Sequence, residues 1–147
     1  MKYFAMLVLF LLTTNVQAKN INISVKIDLN LNCKFEKVII KNSEYNFETF
    51  TSDQIYKDDI KQLIFKAREP NILKVKNLSK FLNETDLEVK ISNKDIILIK
   101  AFNNKRNYSE SAVYTKTTGE FIHEITKKIN SSNKEKEIYF YNCDKII

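Results

Sequence analysis

The chain has 147 residues, 24 Lys and Arg against 18 Asp and Glu, two cysteines, one histidine, one glycine, one proline and no tryptophan. This length suits one domain with a real hydrophobic core, and a formal charge of +6 favours anionic partners over cationic ones. A single histidine excludes a multi-histidine metal site, a single glycine excludes a glycine-rich phosphate loop, and two cysteines far apart in the chain lack zinc-ligand spacing.

Met1, Lys2 and Tyr3 form a short basic end, Phe4 to Leu12 is apolar, and Val16 and Ala18 occupy the small-residue positions before a cut. Residues 1–18 therefore read as a signal peptide, since the apolar run is far shorter than the roughly 20 residues that span a bilayer. Residues 19–147 are expected to form a single compact β-rich domain without a transmembrane segment. An exported chain of this kind lives in the periplasm or outside the cell, where thiols are oxidised, so Cys33 and Cys143 are expected to form a disulfide.

From Ile21 to Phe35, apolar Ile21, Ile23, Val25, Ile27, Leu29, Leu31, Cys33 and Phe35 alternate with polar residues. Strict period 2 sends all of them to one face of a strand. The apolar positions then slip to Val38 and Ile40, which implies a bulge near Glu36 and Lys37. So long a strand should coil around a barrel or bend. Tyr45, Phe47 and Thr49 suggest a further short strand.

Over Thr51–Glu69 the period changes. Ile55, Tyr56, Ile60, Leu63, Ile64 and Ala67 share one side of a helical wheel, Thr51 and Gln54 have capping-box spacing, and Pro70 follows. A helix over 52–69 is the expectation, although Leu63, Phe65 and Ala67 also alternate and offer a strand over Lys61–Ala67. Leu78, Phe81 and Leu82 could add one more helical turn.

The remainder reads as a meander. Leu87–Ile91 turns through Ser92–Asp95 into Ile96–Phe102, Ala112–Thr117 turns through Thr118–Gly119 into Glu120–Ile129, and Glu137–Cys143 closes the chain. Asparagines at 42, 93, 103, 104, 107, 130 and 133 supply the turn chemistry that glycine and proline usually provide. The fold class is thus mainly antiparallel β, a meander sheet, barrel or sandwich, with one helix near 52–69; the alternative is α+β. In the last strand, Ile138 and Phe140 oppose Tyr139, Tyr141 and Cys143, so both faces are apolar. Such a strand is either covered on both sides, with the helix as the natural cover, or exposes a patch to a partner.

Catalytic patterns are sparse. His123 alternates with Phe121 and Ile125, which reads as a hydrogen-bonded core residue; Asp58 and Asp59 diverge on a helix and suit solvated charges. No residue is assigned to catalysis, metal or cofactor. Phe102, Lys105, Arg106, Tyr108 and Tyr114, basic and aromatic groups in and beside one hairpin, are the candidate binding residues. The expectation is a non-catalytic binding module that meets another protein or an anionic envelope surface, not nucleic acid. The alternative is an inhibitor or immunity-type partner of another secreted protein.

Overall fold

The computed structural model describes residues 27–55, 60–69, 72–77, 87–103 and 107–146. The signal peptide expected at 1–18, the start of the long strand expected at 21–26, the Asp58–Asp59 pair and the helical turn expected near 78–82 lie outside those residues.

Nine strands form one antiparallel sheet: β1 (Asp28–Lys41), β2 (Asn46–Thr51), β3 (Ile60–Glu69), β4 (Ile72–Lys76), β5 (Leu87–Ser92), β6 (Ile96–Asn103), β7 (Tyr108–Thr115), β8 (Glu120–Lys127) and β9 (Glu135–Lys145). The order is β2-β1-β3-β4-β5-β6-β7-β8-β9, and β9 also pairs with β1. The sheet therefore curls into a half-barrel whose last strand meets its first, with a thin join where β4 and β5 pair, among the described residues, at Ile72↔Glu88 and Leu73↔Leu87.

β1 carries three partners because it is long enough to be shared. Its first half, Asp28–Lys34, pairs with β3; its second half, Lys37–Lys41, pairs with β2; its other edge pairs with β9 from Leu31 to Lys41. The expected bulge is present as a register shift between Phe35 and Lys37. Inward parity passes there from Leu31, Cys33 and Phe35 to Val38, all nearly inaccessible to solvent. A second shift, at Ile40/Lys41, coincides with Phe47, whose φ of 60° is rare for an aromatic residue and leaves its ring in solvent.

The helix expected over 52–69 does not form. Residues 60–69 are strand β3, which places Leu63 and Phe65 in the core. A helix would have set Phe65 on its polar side, whereas period 2 buries it together with Leu63, and β1 offers an edge whose amides need partners. The capping-box contact is real but closes a turn instead: Thr51 N–H donates to Gln54 Oε1 at 2.8 Å, and Ile55 N–H donates to Thr51 O at 3.3 Å. With no helix among the described residues, the fold is antiparallel β.

The concave face holds the core. Phe65 of β3 meets Phe121 of β8 edge-on at 5.9 Å, Phe121 meets Tyr141 at 6.1 Å, and Tyr141 meets Phe35 at 5.7 Å. β3 and β8 are not sheet neighbours, so the first contact crosses the hollow of the curl. Each such ring, removed from water, contributes about 1.5–3 kcal/mol of transfer free energy. Turns use asparagine as expected: Asn42 Oδ1 accepts from Glu44 and Tyr45 N–H, and Asn93 Oδ1 accepts from Asp95 and Ile96 N–H, each at 2.8 Å.

Cys33 and Cys143 are direct cross-strand partners in the β1–β9 ladder and are bonded. Because they are bonded, thiol-alkylating reagents should label neither in unreduced protein, even after it is unfolded in urea. With a sequence separation of 110 residues, the chain-entropy account gives about 4–5 kcal/mol at most. Replacing both cysteines by serine should lower urea-measured stability by a large part of that figure.

Gly119 sits at φ +76° in the β7–β8 turn, and a Cβ there would lie 2.5 Å from the carbonyl oxygen of Cys143. Its own carbonyl accepts from Cys143 N–H at 2.8 Å. Both the backbone conformation and the close approach require glycine. Gly119→Val should cost about 2 kcal/mol or more, read as a lower thermal midpoint.

Candidate functional site

Alternation along β7 turns Tyr108, Glu110, Ala112 and Tyr114 inward, and along β8 it turns Phe121, His123 and Ile125 inward. His123 and Glu110 are 2% and 1% exposed, and His123 Nε2 and Glu110 Oε2 are hydrogen-bonded at 3.3 Å. The imidazole stacks on Tyr139, 6.1 Å between centroids. Tyr139 O–H donates to Glu137 Oε2 at 2.7 Å, and Lys127 Nζ donates to Glu137 Oε1 at 2.6 Å. His123 is thus the hydrogen-bonded core residue its alternation implied, one member of a polar chain inside the curl. Glu110, its partner, was hidden in the sequence as the lone charge among tyrosines and alanine, although its parity with Tyr108 and Tyr114 marks it as internal.

Two competing effects act on Glu137. Burial pushes its carboxyl pKa up, but hydrogen bonds from Lys127 and Tyr139 and the charge of Lys127 outweigh it and hold the pKa below its usual 4.5. Burial, and then the Glu137 contact, pushes the Tyr139 phenol well above its ordinary range. Tyr114 is also raised, by burial and then by the charge of Asp144. The phenol of Tyr139 is a donor to a carboxylate, not a proton acceptor.

Of the candidate binding residues, Tyr108 and Tyr114 point inward from β7. They are 4% and 5% exposed, so neither forms part of an exposed surface patch as expected. Their parity on β7 is that of the core, and their apolar rings gain more from burial than their hydroxyls lose. Lys105 and Arg106 lie outside the described residues. Phe102 is on β6 opposite Ser109. Tyr114 lines a cavity of about 360 Å³ at one end of the curl, with Ile27, Leu29, Ile97, Asp28, Lys116 and Lys145.

The outer face carries a feature that single strands show only in part. Phe140, Ile122, Val113, Leu98 and Ile91 are successive cross-strand partners on β9, β8, β7, β6 and β5. All five are partly or fully exposed, Ile91 to 41%. Ile138 and Ile39, paired with each other beside Phe140, widen the row. Lys37, opposite Phe140, holds its ammonium 4.7 Å over that ring. Among the described residues there is no helix or second sheet to lie over this face, and Ile138 and Phe140 are half-buried on it.

A second cavity, about 290 Å³, lies between the β1–β2 turn and the β8–β9 loop. Among the described residues no group of three or more His, Cys, Asp and Glu is placed to hold a metal ion. No helix there is long and apolar enough to cross a membrane.

These features define a disulfide-closed, curled antiparallel β protein with an apolar row on its outer face. No family model, curated protein or solved structure matches the chain, so its own residues must carry any functional reading.

The state of Glu137 makes acid stability testable. A carboxyl whose pKa is depressed in the folded state contributes stability that is fully present above its unfolded value, near 4.5, and is lost as the pH falls through the folded value. Glu137→Gln should therefore reduce urea-measured stability at pH 7, with the gap from the parent protein narrowing as the pH drops below 4.5.

Proposed function

We propose that this is an exported, non-catalytic binding protein that docks a partner protein on the outer face of β9, β8, β7, β6 and β5. The observation that carries this reading is the cross-strand row Phe140, Ile122, Val113, Leu98 and Ile91. One-sided antiparallel sheets normally alternate apolar inward with polar outward, and an apolar row on the wet face costs solubility unless something covers it. Rings and branched aliphatic groups on a rigid sheet also have little conformational freedom to lose on association, which favours them in interface centres. Lys37 at one end, Lys100 opposite Glu88, and the Lys136–Glu124 pair put charges of both signs around the row, which suits a partner with a mixed polar rim around an apolar centre.

The leader at 1–18 and the disulfide support placement in the periplasm or outside the cell, where cystine persists. The interior polar chain is assigned a structural role: it satisfies ionisable groups inside the curl, and its members bond to one another.

A photo-crosslinking residue placed at Leu98 should give a discrete protein adduct in the native exported fraction, and Phe140→Ser with Ile122→Ser should abolish it while the fold is retained. The same probe at Lys66, on the outer face of β3, should give none, and His123→Gln should leave the Leu98 adduct intact if the variant folds. Equal adducts at both positions, or an adduct indifferent to the double substitution, would overturn the reading.

A further inference from the structure

We infer that the cavity between the β1–β2 turn and the β8–β9 loop is a site for an oxyanion, a phosphate or carboxylate group of a small ligand, held by Lys41, Lys128 and Lys134. The site is separate from the apolar row and does not depend on it. Its lining is wholly polar: the three lysines, Asn42, Ser43, Ser132, Asn133 and Glu135 around about 290 Å³.

The charges in it are unevenly neutralised. Lys128 Nζ is paired with Glu135. Lys41 is held instead by a ring, its ammonium 5.3 Å from the centroid of Phe47. A cation over a ring is positioned without being neutralised, so Lys41 keeps its full charge for a ligand. Lys134 has no ion-pair partner among the described residues. Three ammonium groups against one carboxylate leave a formal excess of two positive charges around the cavity.

The fold forces these groups together. β1 and β9 pair as far as Lys41↔Lys136, setting two lysines directly opposite, an arrangement that is unfavourable without a counter-charge. Lys136 finds one in Glu124 at 3.0 Å on the outer face, whereas Lys41 has none among the described residues. The loop bringing Lys128 and Lys134 to the same place is fixed from both sides: Asn107 Oδ1 accepts from Asn130 N–H at 3.0 Å, and Lys128 O accepts from Ser131 N–H at 3.0 Å. Lys128 itself takes φ 54°, unusual for a side-chain-bearing residue, and this turns the loop over the cavity. Hydroxyls of Ser43 and Ser132 and the amides of Asn42 and Asn133 are donors of the kind that complete an oxyanion's shell. The other large cavity differs, since Ile27, Leu29 and Ile97 line it with an opposing carboxylate at Asp28.

The test is amide chemical-shift titration of the full exported chain with sodium phosphate and, separately, sodium acetate, against sodium chloride at equal ionic strength. Saturable shifts confined to Ser43, Ser132 and Lys134 are expected with at least one oxyanion, and whichever saturates at lower concentration identifies phosphate or carboxylate as the preferred group. Lys41→Gln with Lys134→Gln should weaken that binding tenfold or more, whereas Lys116→Gln with Lys145→Gln at the other cavity should not. Both pairs are on the surface and should leave the fold intact, as the unshifted remainder of the spectrum would verify. Shifts that do not saturate, that spread equally to Lys116 and Lys145, or that survive the first double substitution would overturn the inference.

Discussion

Everything in this structure depends on the pairing of β1 with β9. β1 gives one edge to β3 and β2 in succession and the other to β9, so the same 14 residues start the sheet and finish it. The contact between β1 and β9 joins residues far apart in the chain, 110 positions at the disulfide, and forming it costs a large loop-closure entropy. Three devices offset that cost at one place. Leu31, Cys33 and Phe35 bury their side chains, Cys33 and Cys143 are covalently joined, and the Gly119 carbonyl accepts the amide hydrogen of Cys143. The bulge at Phe35/Lys37 then lets the rest of β1 follow the curl without exposing Val38.

Once the ends are joined, the two faces of the sheet part company chemically. The concave face is filled by rings and aliphatic groups and can accept Glu110, His123 and Glu137 because each finds a partner there. The outer face would need only polar groups, yet five neighbouring strands line up apolar ones in register. That registration is a property of the closed sheet: a slip of one residue in any strand would move its outward group into the core and its core group into water. Closure, core packing and the proposed docking row are therefore coupled, and a variant that loosens the seam should disturb the row as well.

Much of the sheet was legible because its signals are local. The alternation through Leu29 to Phe35, the slip to Val38, the asparagine turns at Asn42 and Asn93, and the Thr118–Gly119 turn each depend on a few adjacent residues, and all are found. The cystine was legible because the chain has two cysteines, both at core parity on strands, and the leader-like start points to an oxidising compartment. The stretch 51–69 was not. Its capping contact forms, and its apolar residues suit either period; what decides is the free edge of β1, which lies elsewhere in the chain. Tyr108 and Tyr114 belong to the same basic, aromatic stretch as Lys105 and Arg106, which points to a surface, and the charged Glu110 between them conceals their inward alternation. The outer row was visible in part, as Ile138 and Phe140 on a strand apolar on both sides. Its extension through Ile122, Val113, Leu98 and Ile91 needs the registers of four ladders. The lysine-lined cavity likewise exists only because the β1–β9 ladder brings two distant loops side by side.

The central claim, that the β1–β9 seam is what holds the structure, is tested most directly by residue-resolved hydrogen exchange of the oxidised and the reduced protein. The slowest-exchanging amides of the oxidised protein should lie along Leu31–Val38 and Tyr139–Cys143, and reduction should accelerate them together with their neighbours in β3 and β8. Slowest exchange in β5, β6 and β7, unaffected by reduction while β1 and β9 exchange early in both states, would contradict it.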